Sequence, residues 1–444
     1  MAGNDGFDAV EAALVRGAAD LESLAADLAA HPELGFREER TASVLEKALR
    51  ETGARVRTGI ARTGIRADLG PAAGPGIFLI ADLDAILTSG AEGGVAHSCG
   101  HHAQMAVMAA VFRALAETGI PDREKVRLVF LGTPAEEFLE MEYRLSLRAE
   151  GKVRFLSGKQ EMIRLGILDD ATVALKYHSM SDSPERIATV NGTLNGFLAK
   201  RATFLGRSAH AGAWPEKGIN ALNAAGLAIL AIHAQRETFR DDDHIRVHPV
   251  MKSGGTTVNT VPDTAVLETY VRGASWPAIR DADSKVDRAL AAGAVAIGAA
   301  VRIDNSPGYM PFRPDPELGE VLGAAARTVL PEEAIDFRDR SFASDDIGDV
   351  AALVPTCQLG YAGFSGTIHA SDFKVSDPVR AYREPARILA RTAFDLARNG
   401  GARALEIRRG FKPEFTKEEY LSSMEALFAS RTVDGGRWTV DGEK

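Results

Sequence analysis

Within six consecutive positions, His97-Ser98-Cys99-Gly100-His101-His102, the chain places three imidazoles and a thiol. Imidazole and thiolate are good ligands for a borderline divalent metal such as zinc, and a short rigid loop holds them together. One such residue alone is more often a satisfied loop side chain; the group together points to metal. Two carboxylate pairs accompany it. Asp82-Leu83-Asp84 follows the apolar run Gly76 to Ala81, and Glu136-Glu137 follows the run Val126 to Leu131 after Gly132-Thr133-Pro134. His178 closes a further run, Thr172 to Tyr177. Taken singly, Glu136-Glu137 reads as a solvated charge pair and His178 as a loop histidine. Neighbouring carboxylates on an irregular loop can also diverge, one binding metal while the other takes a proton from water and passes it to a leaving nitrogen. Other motifs fail: Gly74-Pro75-Gly76 precedes its strand, and Gly206-Arg207-Ser208-Ala209-His210 lacks the closing glycine of a nucleophile elbow.

These groups need elements to position them. Apolar runs at 76–81, 126–131 and 171–175 read as buried strands, with a helix over 105–115. Leu14, Leu21, Leu24 and Leu28 mark an amphipathic helix at the start. Strands alternating with helices predict an α/β fold, a doubly wound, mostly parallel sheet with helices on both faces. In such sheets ligands bind beyond the carboxyl ends of the strands, where all three polar clusters fall. The stretch 195–309 has another rhythm: strand 197–205, helix 220–239, strands 245–251 and 265–272, helix 276–297, strand 301–304. That βαββαβ order predicts an inserted ferredoxin-like unit. The expected division is residues 1–194 and 310–444 for the catalytic domain, and 195–309 for the insertion. The charged run 139–164 reads as a helical insertion, and the polar tail after Ile407 gives no clear pattern.

The 444 residues carry 52 Lys+Arg against 61 Asp+Glu, a net charge of -9. That balance disfavours nucleic acid, which needs a basic footprint, and a polybasic membrane surface. The longest apolar stretch is shorter than the ~20 residues that span a bilayer. Two cysteines build no disulfide framework, and no leader is visible. The expectation is a cytoplasmic protein.

The chain resembles the aminoacylase/carboxypeptidase-G family of metallohydrolases, in the branch of indole-acetyl-amino-acid and aminobenzoyl-glutamate hydrolases. The matching pieces are His31-Pro32-Glu33-Leu34 with Glu38 and Thr41, Asp82-Leu83-Asp84-Ala85, His97 to His101, and Pro134 to Glu137. His178, Gly206 to His210, Gly254 to Pro262, Arg272 and Thr367-Ile368-His369 continue them in unbroken order. The resemblance implies a zinc-exopeptidase-like fold whose insertion serves as lid and dimerisation domain. It implies that Cys99, His101, Glu137, His178 and His369 bind one or two divalent ions (Mn or Zn, or Co), with Cys99 as bridge. Glu136 falls on the general base and Asp84 on a carboxylate that orients a ligand histidine. His210 falls on a lid histidine that reaches a partner's active site in a homodimer, and Asn259 and Arg272 near the substrate carboxylate. The implied activity is metal-dependent hydrolysis of a C–N bond in a small acidic substrate of the N-acyl amino acid or aminobenzoyl type. Hydrolytic deamination of an activated aromatic amine such as 5-nitroanthranilate is the alternative reaction, and a silent binder of small acids or metal the alternative of another class. His102 stands where the family usually has Asp, which predicts one weakened metal position.

Overall fold

The computed structural model describes residues 6–88, 94–183 and 186–440. The chain forms two compact units, one of Met1–Thr193, Arg313–Arg340 and Asp349–Phe415, the other of Leu194–Phe312, Ser341–Gly348 and Thr416–Lys444. Among the described residues no helix is long and apolar enough to cross a membrane.

The first unit is built on a mixed sheet. Its strands lie in the order Arg55–Ile60, Gly64–Leu69, Arg127–Thr133, Gly76–Asp82, Ala171–Ser181, Thr356–Ser365, Ala188–Val190 and Ile335–Asp336. The four strands from Arg127–Thr133 to Thr356–Ser365 are mutually parallel, and antiparallel pairs flank them. Burial on both faces explains why these middle strands read as apolar runs. Side chains alternate across them: Ile77, Leu79, Ala81, Leu128, Phe130, Val173, Leu175 and Tyr177 enter one core, together with residues of the helices His101–Glu117 and Glu384–Gly410. Each large apolar side chain buried there contributes roughly 1.5–3 kcal/mol. The same alternation sends Asp82, Lys176 and His178 to the opposite face. Asp82 pairs in register with Thr133, so the turn carrying Glu136 and Glu137 starts beside it.

Four expectations change. The helix starts at His101, four residues before its apolar pattern begins, because Gly100 adopts φ 82 and turns the chain into it. The third strand runs to Ser181, since pairing with Thr356–Ser365 continues, so His178 lies within a strand and faces Gly360. The first helix is two, Asp8–Arg16 and Ala18–Ala30, separated at Gly17. The segment 139–164 forms two short helices, Met141–Ala149 and Gly158–Arg164.

The second unit has the antiparallel order Arg246–Val247 and Val250–Ser253, Thr264–Gly273, Gly196–Leu205, Ala300–Pro307, Ser430–Asp434, Arg437–Val440. Helices Ala221–Ala234 and Trp276–Ile297 share its core. The expected assignment of all of 310–444 to the catalytic domain is corrected. Residues 341–348 and 416–444 belong here instead. The tail adds a hairpin to the free edge, with Val433 opposite Val301 and buried. Its Gly435-Gly436 turn, both at positive φ, is the two-residue loop that suits a twisted hairpin.

Candidate metal centre and active site

The Cys99 loop is fixed against the strand that carries His178. A Cβ on Gly100 would collide with the Ser179 side chain, so only glycine lets the loop lie this close. The Ser179 hydroxyl donates to the Cys99 carbonyl at 2.7 Å. His101 directs Nδ1 to the Asp84 carbonyl at 2.8 Å, and His178 directs Nδ1 to the Ser179 carbonyl at 2.8 Å. Both rings are thereby oriented through Nδ1, the arrangement that frees Nε2 for a metal. His178 Nε2 lies 3.6 Å from the Cys99 sulfur. His101 Nε2 is buried and makes no hydrogen bond. A buried polar atom left this way needs an occupant to satisfy it.

Glu137 and His369 approach from the other side. His369, at φ 71, donates its backbone N–H to the Ser98 carbonyl at 2.9 Å and sets Nε2 3.2 Å from Glu137 Oε1. Ligand atoms of Cys99, His101 and His178 lie within 4.8 Å of one another, as do those of Cys99, Glu137 and His369. Two donor triads sharing one thiol would fit divalent cations. The mixture of sulfur, nitrogen and carboxylate oxygen fits zinc and also tolerates manganese or cobalt.

The electrostatics agree. Burial opposes ionisation of Glu137, but the His369 hydrogen bond and the charges of His369 and His101 hold its carboxyl down at about 2. Burial would also lower His101; the Asp84 contact and the charges of Asp82, Asp84 and Glu137 outweigh it and hold the imidazole at about 9. A cation entering this site therefore displaces a proton, as metal sites built from imidazole do.

Glu136 is buried with Oε2 3.7 Å from His101 Nε2. It stands outside the two triads that share Cys99, but with Asp82 and His101 it forms a further group whose ligand atoms lie within 4.8 Å of one another. Asp84 meets His101 with two groups. Its carbonyl orients His101, while carboxylate Oδ1 stays at 3.4 Å and Oδ2 accepts the Glu137 N–H at 2.9 Å. Of the three imidazoles in the motif only His101 joins the donors. His102 faces His97, Phe364 and Tyr382, and burial with the nearby His101 charge lowers it to about 4. His102 is therefore no donor to the site, and its position in the first helical turn points it into an aromatic setting.

Sequence reasoning missed the support beneath the site. Asp82 pairs with Lys176 at 2.6 Å and with Lys159, and accepts the Thr133 hydroxyl at 2.6 Å. All three charged side chains are fully buried. Burial disfavours the Asp82 carboxylate, but the two ammonium groups hold it ionised, well below the usual range. Lys176 left a trace as the one charged residue in an apolar strand; Lys159 was hidden in a charged stretch.

His210, Asn259 and Arg272 all belong to the second unit. The exposed His210 accepts at Nδ1 from the Gly212 and Ala213 N–H groups at 3.2 and 3.1 Å, which leaves Nε2 directed outward as a donor. Asn259 is exposed on the neighbouring segment, its carbonyl accepting from Ala211 N–H at 2.9 Å. Arg272 donates to the Ser344 hydroxyl at 2.9 Å and stacks over Phe197 and Tyr270.

Comparison with known proteins gives the same chemistry a family. Residues 78–395 match the model of Peptidase family M20/M25/M40. The chain is 27% identical over 383 residues to the Xaa-Arg dipeptidase of Mus musculus, covering 81% of this chain and 80% of that one. It is 27% identical over 312 residues to a p-aminobenzoyl-glutamate hydrolase of Escherichia coli (strain K12), covering 68% and 66%. In fold it is similar to a dinuclear metal-binding peptidase of Bacillus subtilis, with a TM-score of 0.64 at 20% identity over 86% of this chain and 99% of the other. The chain belongs to Peptidase family M20/M25/M40 and is a metal-dependent hydrolase of C–N bonds.

Proposed function

We propose that this enzyme hydrolyses the amide of a small N-acyl amino acid or aminobenzoyl amino acid. The observation that carries this reading is the pair of donor triads sharing Cys99, with Glu136 beside His101 and not needed by either triad. A divalent ion bound there polarises the scissile carbonyl and lowers the pKa of water towards ~7. Cys99, His101, Glu137, His178 and His369 hold the ions, zinc being favoured by the thiolate and manganese or cobalt by the oxygen and nitrogen donors. Glu136 takes the proton of the attacking water as the new C–O bond forms, then delivers it to the nitrogen as the C–N bond breaks. Asp84 keeps Glu137 and His101 in place for this. Arg272 and Asn259 bind the substrate carboxylate, and His210 Nε2–H donates to the oxyanion. Two cysteines, both buried, suit the reducing cytoplasm.

The test offers N-acetyl and N-benzoyl amino acids, aminobenzoyl-glutamate and 5-nitroanthranilate in parallel, with released amine or ammonia as the readout. Amide turnover with inert nitroanthranilate is expected. Ammonia from nitroanthranilate without amide cleavage would replace the amide reading by ring deamination. No turnover of any of them by metal-loaded protein would contradict the substrate class.

The same reading makes the enzyme a homodimer through the second unit, with His210 serving the partner's site. Leu222, Leu227 and Leu230 are exposed on the Ala221–Ala234 helix, Leu230 at 64%, and make its outer surface apolar. Mixing inactive His210→Ala with inactive Glu136→Gln protein is expected to regain part of the activity, because hybrid dimers carry one intact site. No recovery after verified subunit exchange would place His210 in its own chain's site or outside catalysis.

A further inference from the structure

We infer that Arg144, supplied by the 139–164 segment, is a positioning residue that clamps the turn aiming Glu136 and Glu137. The inference rests on the roles proposed above for those two carboxylates. Arg144 lies on the Met141–Ala149 helix and is 2% exposed. Its Nη1 donates to the Ala135 carbonyl at 3.0 Å and the Leu156 carbonyl at 2.5 Å, and its Nη2 to the Glu137 carbonyl. The carbonyls on both sides of Glu136 are thus held by one planar group. No carboxylate pairs with this guanidinium among the described residues; its other neighbours are the rings of Phe36 and Phe138, at 5.4 and 5.5 Å. A buried cation without an acid is expensive, so main-chain dipoles of fixed geometry must offset its desolvation.

The turn needs such a brace. Ala135 sits at φ 53, a left-handed conformation that is unfavourable for a residue with a Cβ. Other charged side chains hold its remaining main-chain groups. Glu38 Oε1 accepts the Ala135 N–H at 2.7 Å, and Asp84 Oδ2 accepts the Glu137 N–H at 2.9 Å. Gly35 leaves the room: a Cβ there would stand 2.8 Å from Arg144 Nη2 and 2.9 Å from the Ala135 Cα. Lysine cannot replace this arrangement, because a single ammonium does not span carbonyls as a planar fork does.

The experiment compares Arg144→Ala and Arg144→Lys with the parent full-length protein. Losses of a supporting contact around a metal ligand run to about 10–100-fold. Both variants are expected to lose kcat on that scale with KM little changed, and to bind zinc more weakly in competition with a chelating dye. Millimolar guanidinium or methylguanidinium, but not ammonium, is expected to restore part of the kcat and the zinc affinity of Arg144→Ala and none of Arg144→Lys. A residue that merely packs the segment in place would show no such selective rescue. Normal kcat and zinc affinity in either folded variant, or losses that guanidinium leaves untouched in folded Arg144→Ala, would overturn the inference. If Arg144→Ala does not fold, Arg144→Lys decides: folded and fully active overturns the clamp, folded with kcat and zinc affinity both reduced supports it. If neither folds, Gly35→Ala decides by the same kcat and zinc readings, since its methyl group crowds the guanidinium. Glu136→Gln run alongside separates the failures. If it is fully active, the roles assigned to the carboxylates fail; if it is inactive while the Arg144 variants behave normally, the clamp alone fails.

Discussion

Glu136→Gln is expected to lower turnover by at least ~100-fold, the scale of a lost general acid–base group. Glutamine keeps the size of the side chain and one acceptor oxygen, so substrate binding and the local packing should hold. What disappears is the ability to accept a proton from water and return it to the departing nitrogen. Metal content should stay the same, because the proposed donors are Cys99, His101, Glu137, His178 and His369, and Glu136 lies outside the two triads that share Cys99. Measured kcat and metal content of the purified variant check both halves. Loss of metal together with activity would mean that the two adjacent glutamates have exchanged roles.

Asp82→Asn is expected to cost stability rather than chemistry. Asp82 is the shared counter-ion of Lys159 and Lys176, and all three are fully buried. Removing one member of a buried charge cluster leaves uncompensated charge and costs about 3–5 kcal/mol, a large part of the stability of most domains. The dependence on pH follows from the signs. In the parent, the lowered Asp82 pKa stabilises the fold above the ordinary carboxylate range, and this contribution is lost as pH falls through the folded value. In the variant both ammonium groups lose this shared counter-ion, so that contribution is absent at neutral pH. Urea unfolding of parent and variant at pH 7 and pH 3 measures this: the gap in midpoint is expected at pH 7 and to narrow at pH 3, and an unchanged midpoint at pH 7 would show that Asp82 contributes nothing.

Much of the site was legible because its residues break local patterns. Asp82-Leu83-Asp84 ends an apolar strand, Glu136-Glu137 follows another, and Cys99 and His101 stand on either side of a glycine. Such breaks survive in one dimension. What was hidden depends on three. The clamp by Arg144 looks in sequence like any surface arginine on a short helix, and only packing buries it. His97, His101 and His102 are chemically alike, yet the turn at Gly100 sends only His101 to the donors. Sequence neighbours also conceal division of labour: Asp84 orients one ligand with its carbonyl and another residue's N–H with its carboxylate. The hairpin at 430–440 went unread in the polar tail, because the strand it pairs with lies far away in sequence, at 300–307.

The metal centre itself is tested most directly by titrating metal-free protein with cobalt(II) and following the thiolate-to-cobalt charge-transfer absorption. Cys357 is buried in the sheet, and burial raises its thiol further above the ordinary range, so Cys99 is the thiol available to the ion. The band is expected to grow with one tight equivalent per chain, followed by a weaker one, to vanish in Cys99→Ser, and to persist in Cys357→Ser and Glu136→Gln. Protein that takes up cobalt without this band, or a band that survives in Cys99→Ser, would contradict a metal centre built around Cys99.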